Sequence, residues 1–149
     1  MISQRKPLRF VTAAACAFAV ASFAQIGVSN ATGTVTKSDL SGPWAITLFG
    51  DTGCGSTSML ATGTLDATGT GTVALHMHSS GCGNVNSTEK FQIQSVSANG
   101  SGKAGLTCNN EVGCGWIFTI QVSADRSTFN LVDITDVGNN RLVGFAVHQ

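Results

Sequence analysis

Charge is scarce in this 149-residue chain, in which Asp, Glu, Lys and Arg make up 11% and eight basic residues face eight acidic ones. Three of the basic residues, Arg5, Lys6 and Arg9, lie before position 10, so from residue 25 onward five face eight, a balance of −3. No basic patch that could neutralise phosphates survives in that remainder, which excludes nucleic acid as a partner. Helical periodicity is also missing from residue 42 onward, which excludes a bundle. The chain has no Gly-x-Ser-x-Gly and no Cys-x-x-Cys, so it has neither a nucleophile elbow nor the common zinc spacing.

The one charge-free apolar run, FVTAAACAFAVASFA at 10–24, falls short of the roughly 20 residues a membrane span needs, and no stop-transfer pattern follows. With its basic preface it reads as a secretory signal peptide, cleaved after Ala24 or, as the second choice, after Ala31. Cys16 sits inside that run and is discarded with it. The expected layout is a leader at 1–24, an N-terminal extension at 25–41 and one domain at 42–149, in a secreted or periplasmic protein.

Four cysteines then remain, Cys54, Cys82, Cys108 and Cys114, and an even number in an exported chain reads as two disulfides. Gly-Cys-Gly occurs three times, at 53–55, 81–83 and 113–115. Flanking glycines let a loop cysteine reach the narrow geometry that a disulfide demands. Pairing within adjacent loops, Cys54 with Cys82 and Cys108 with Cys114, is preferred, and two other connectivities stay open.

What is present in quantity is alternation. Eight segments, 44–50, 58–66, 71–78, 89–97, 102–108, 115–123, 127–135 and 141–149, alternate apolar and other residues and are separated by turn residues such as Asn99-Gly100. The connections are too short for crossover helices, so the expected fold is all-β, a small antiparallel up-and-down barrel of about eight strands, with a β-sandwich as the alternative. The expected inward face is Trp44, Ile46, Leu48, Val73, Leu75, Met77, Phe91, Ile93, Trp116, Phe118, Ile120, Val122, Phe129, Leu131, Val143, Phe145 and Val147. In such a barrel every second connection lies at the same end, which puts all four cysteines on one rim.

The stretch LSGPW, Leu40 to Trp44, resembles the opening of the first strand in calycin barrels: Gly-x-Trp in lipocalins and Leu-Thr-Gly-x-Trp in avidins. The resemblance implies a barrel closed near Trp44 and open at the cysteine rim. It also has departures. The polar groups that avidins place two and six residues after this tryptophan are here Ile46 and Gly50, and only Trp116 stands for three further tryptophans, so biotin is not implied. Lipocalins cover the tryptophan with an arginine at the end of the last strand, whereas Arg141 begins its strand.

Candidate chemistry is sparse. Arg141 shares its phase with Val143, Phe145 and Val147, which would aim it into the mouth beside Trp116 and Asp51, to meet a ligand carboxylate or to pair with Asp133 or Asp136. His76 and His78 alternate with Met77 and share the opposite, outward face, where two imidazoles could weakly hold Cu or Zn. Asp51, Glu111 and Asp133 come from separate segments and no histidine has an assigned carboxylate partner, so no catalytic set emerges and no cofactor is implied. The leading reading is an exported, disulfide-stabilised barrel binding a small, mostly apolar molecule at its cysteine rim through Trp116, Arg141 and Asp51. The alternative is a non-enzymatic surface or matrix protein with a solid barrel that contacts a protein or glycan. Metal capture by His76 and His78 comes third.

Overall fold

The computed structural model of the chain describes residues 33–107, 115–135 and 141–149. After a 3-10 turn, Lys37–Leu40, eight strands follow in order: β1 Gly42–Asp51, β2 Ser56–Leu65, β3 Thr70–Ser79, β4 Gly83–Val96, β5 Ser101–Thr107, β6 Gly115–Val122, β7 Thr128–Asp133 and β8 Arg141–His148. Each pairs antiparallel with its sequence neighbours, and β8 returns to β1, so the sheet is a closed barrel. All eight expected strands exist. β4 begins six residues earlier than expected, because the polar run GNVNST pairs with β3 from Ser79↔Gly83 to Ala74↔Thr88 and extends that hairpin. Composition marks those residues as a loop, and the cross-strand partner makes them a strand.

Large apolar side chains point into the barrel. Trp44, Phe91, Phe118 and Phe129 are wholly buried, with the Trp44 and Phe129 rings 4.8 Å apart and Phe91 and Phe129 6.2 Å apart. Ile46, Leu48, Val73, Leu75, Ile93, Trp116, Ile120, Val122 and Leu131 join them as expected, Met77 is partly buried, and Met59, Ala61, Leu65, Ala104 and Leu106 complete the core from β2 and β5.

The expectation fails on β8. Leu142 and Ala146 are buried, whereas Val143, Phe145 and Val147 stand on the outer wall. Both faces of RLVGFAVH are apolar, so alternation alone cannot choose between them. Register chooses: directly opposed residues share a face, and Leu48 opposes Gly144 while Ile46 opposes Ala146. The interior beside Trp44 and Leu48 leaves room for these small residues. A Cβ on Gly144 would lie 1.9 Å from the Thr47 carbonyl oxygen.

One end of the barrel is plugged. Val35 and Leu40 are buried in the core, the Val35 amide donates to the Ala98 carbonyl at 3.1 Å, and the Trp44 indole donates to the Leu40 carbonyl at 2.8 Å. His148, the last residue of β8, sits edge-on to Trp44 with ring centroids 5.0 Å apart. A side chain at Gly42, where φ is +122°, would collide with that imidazole. The LSGPW stretch is thus a plug residue, a gap for a histidine and an anchored tryptophan. The eight-stranded closed antiparallel barrel is compatible with a calycin-like fold.

The turns at this end are tied by carboxylates. Asp125 accepts the hydroxyls of Ser123 at 2.6 Å and Ser127 at 2.8 Å, which hold its carboxyl down at about 2. The Thr68 hydroxyl and Thr70 amide lower Asp66, and the Thr36 amide lowers Asp39, which also faces Arg126 at 3.6 Å.

Two outcomes follow from this packing. Phe129→Ala should destabilise by about 3–5 kcal/mol in urea unfolding, while Phe145→Ser, compared at a dilution where both chains are monomeric, should shift stability by no more than about 0.5 kcal/mol. Equal losses would contradict the outward phase of β8. In acid, the three aspartates have folded pKa values below the usual 3.8, so their contribution is complete above that value and is lost as pH falls through the folded values. The urea midpoint should therefore drop between about pH 4 and about pH 2, and Asp125→Asn should flatten the lower part of that drop.

Candidate functional site

The end opposite the plug carries the β1–β2 and β3–β4 turns, and Cys54 and Cys82 join them in a disulfide with Cα atoms 5.5 Å apart. The glycines around the cysteines serve two purposes. Gly55 takes φ +80°, which L side chains rarely adopt, whereas Gly81 allows close approach: its amide donates to the Cys54 carbonyl at 2.8 Å, where a Cβ would intrude. Cys108 and Cys114 lie outside the described residues, as do Glu111 and Asp136.

The rim residues named from the sequence are not brought together. Trp116 is inside, 9% exposed, on the row that runs from Phe91 through Leu106, and its buried indole nitrogen has no hydrogen-bond partner among the described residues. Arg141 is exposed and directly opposes Asp51, so both stand on the outer wall at the lip of the barrel. The reading that aimed Arg141 into the mouth is corrected for the same reason as the phase of β8. Among the described residues Arg141 makes no ion pair. Asp51 accepts the Gly53 amide at 2.7 Å, and Asp133 accepts the amides of Thr135 and Leu142.

Glu89 went unnamed in the sequence reading, yet it is buried inside the barrel, 1% exposed, with the Thr107 hydroxyl donating to its carboxylate at 3.0 Å. A carboxylate is rarely taken out of water without such partners. The signal was available, because Glu89 shares the phase of Phe91 and Ile93.

Two features occupy the outer wall. The first is a groove of about 510 Å³ lined by Thr47, Phe49, Ser58, Leu60, His76, His78, Asn84 and Asn86, with Met59 and Met77 at its base. Both histidines are exposed, and each imidazole Nδ1 meets the side-chain oxygen of the asparagine directly across on β4: His76 with Asn86 at 2.7 Å and His78 with Asn84 at 2.8 Å. The asparagines escaped sequence reading because their segment looks like a loop. Among the described residues no group of three or more His, Cys, Asp or Glu side chains is placed to hold a metal ion.

The second feature is an apolar band. Phe49, Leu60, Ile117, Val132, Ile134, Val143, Phe145 and Val147 are each 40–54% exposed. Register makes them continuous: Val132 opposes Val143, Val143 opposes Phe49, and Phe145 is linked through Thr47 to Leu60. The Ile134 amide donates to the Ile117 carbonyl, which extends the band to β6. No protein-family model matches the chain, and no curated protein matches it.

Proposed function

We propose that this protein is an exported, non-enzymatic surface or matrix protein, a solid disulfide-stapled barrel that associates with its own kind through the outer wall. The layout behind this reading is a leader at 1–24, an extension at 25–41 and a barrel at 42–149. The apolar band carries it. Soluble monomers rarely expose contiguous apolar patches beyond about 300–600 Å², and here large apolar side chains run across β6, β7, β8, β1 and β2. Closure removes the sheet edges through which β proteins otherwise associate, leaving faces and loops.

A second copy is the partner that suits this wall. Cross-strand neighbours of the band such as Ala45, Thr47, Ser58, Thr119, Thr128 and Asn130 are uncharged, and the charged Arg141 and Asp51 oppose each other at the lip, so two such walls can meet with these charges at the edge of the contact. Sedimentation velocity on the mature, disulfide-bonded chain tests this. The expected result is a dimer or larger species at micromolar concentration that becomes monomeric in Val143→Ser/Phe145→Ser with its circular dichroism unchanged. A wild-type chain that stays monomeric at hundreds of micromolar defeats the proposal.

A second reading has its own observation, the buried indole N–H of Trp116 with no acceptor among the described residues. An unpaired buried donor costs about 1–3 kcal/mol, and a small, mostly apolar ligand with one acceptor atom at the cysteine rim would satisfy it. Native mass spectrometry of protein from its own host should then show a mass above that of the denatured sample, and Trp116→Phe should lose the excess. Equal native and denatured masses would remove this reading.

A further inference from the structure

We propose that His76 and His78 form a two-imidazole site for a divalent late transition-metal ion, Cu(II) above the others, in the groove on the outer wall. The two residues stand two apart on β3, so their side chains leave the same face of the sheet, about 6.5 Å apart at the backbone. Each ring is then fixed by a directly opposed asparagine, at 2.7 Å for His76 with Asn86 and 2.8 Å for His78 with Asn84. An amide oxygen only accepts, so the hydrogen of each neutral imidazole lies on Nδ1 and the lone pair on Nε2. Both rings therefore offer the same nitrogen, in the same tautomer, from the same wall.

This is the outer-sphere arrangement that metal-ligating histidines require. The ring nitrogen away from the metal donates to an oxygen, which fixes the ring orientation and raises the basicity of the ligating nitrogen. Such directly opposed pairs also support the β3–β4 hairpin, and here two in succession hold both rings in one orientation. The surroundings also select the ion. Two imidazoles with no carboxylate in the groove do not suit Ca²⁺ or Mg²⁺, which take oxygen ligands. Among divalent first-row ions nitrogen donors bind Cu(II) most tightly. Two imidazole nitrogens fill part of a tetragonal coordination plane, and the groove leaves the other positions to water or to the hydroxyl of Ser58. The groove borders the apolar band at Phe49 and Leu60, but the two ligating side chains and their asparagines stand on β3 and β4, outside the band, so the monomer suffices for the site.

Cu(II) alone is the probe, added at pH 7 to the mature disulfide-bonded chain and followed by electron paramagnetic resonance and by competition against a chelator of known affinity. The wild-type spectrum should show one bound ion with hyperfine splitting from two imidazole nitrogens. His76→Ala and His78→Ala should each weaken binding at least about 10-fold, and Asn84→Ala/Asn86→Ala about 10- to 100-fold with the same nitrogen count. Terminal amine and peptide nitrogens also bind copper, but they are identical in every variant. Unchanged affinity in His76→Ala/His78→Ala would overturn the site, as would a wild-type spectrum with fewer than two imidazole nitrogens. Loss with the histidine variants but none with the asparagine pair would overturn the positioning role assigned to Asn84 and Asn86. All four positions are exposed, so circular dichroism should report an unaltered fold.

Discussion

Where β8 meets β1, eight directly opposed pairs, from Trp44 with His148 to Asp51 with Arg141, close a sheet that would otherwise have two unpaired edges. A one-residue slip in that seam would turn every β8 side chain to the other face. The pairing is held from both sides. Leu48 and Ile46 press against Gly144 and Ala146, and at the end of the seam His148 meets Trp44, whose indole is itself anchored to the Leu40 carbonyl. Once the small residues of β8 are inside, the large ones must be outside. The apolar wall is therefore a consequence of how the barrel closes.

The two ends of the barrel solve the same problem by different chemistry. The plugged end uses short-range polar bonds: the carboxylates of Asp39, Asp66 and Asp125 each gather amides or hydroxyls within a few residues, and Val35 and Leu40 cap the core. The other end joins two turns covalently through Cys54 and Cys82, which lie 28 residues apart. Local polar bonds suffice where turns are tight. A crosslink that restricts the unfolded chain contributes most where the segments it joins are far apart in sequence.

Function, on this view, belongs to the wall more than to the interior. Five buried aromatic side chains, Trp44, Phe91, Trp116, Phe118 and Phe129, point into the barrel, while outside an apolar band runs into a groove with two oriented imidazoles. Phe49 and Leu60 belong to both features, so a protein that covered the band would also border the groove. The rim keeps one polar signal of its own, the buried indole of Trp116, which has no acceptor among the described residues.

Alternation and turn residues were enough to read eight strands, an antiparallel meander, most of the core and the outward phase of His76 and His78, because a strand with one apolar face declares that face locally. The pairing of Cys54 with Cys82 was legible from loop adjacency. What could not be read locally came from partners remote in sequence. GNVNST is a strand because β3 lies beside it, Asn84 and Asn86 matter because they stand across from two histidines, and β8 has two apolar faces that only β1 can tell apart. By itself the sequence determined which residues alternate and where the chain turns. The tertiary structure decided which side of β8 faces water, and with it the places of Arg141, Phe145 and the apolar wall, because facing is a property of a pair of strands and register is set by contacts some hundred residues apart.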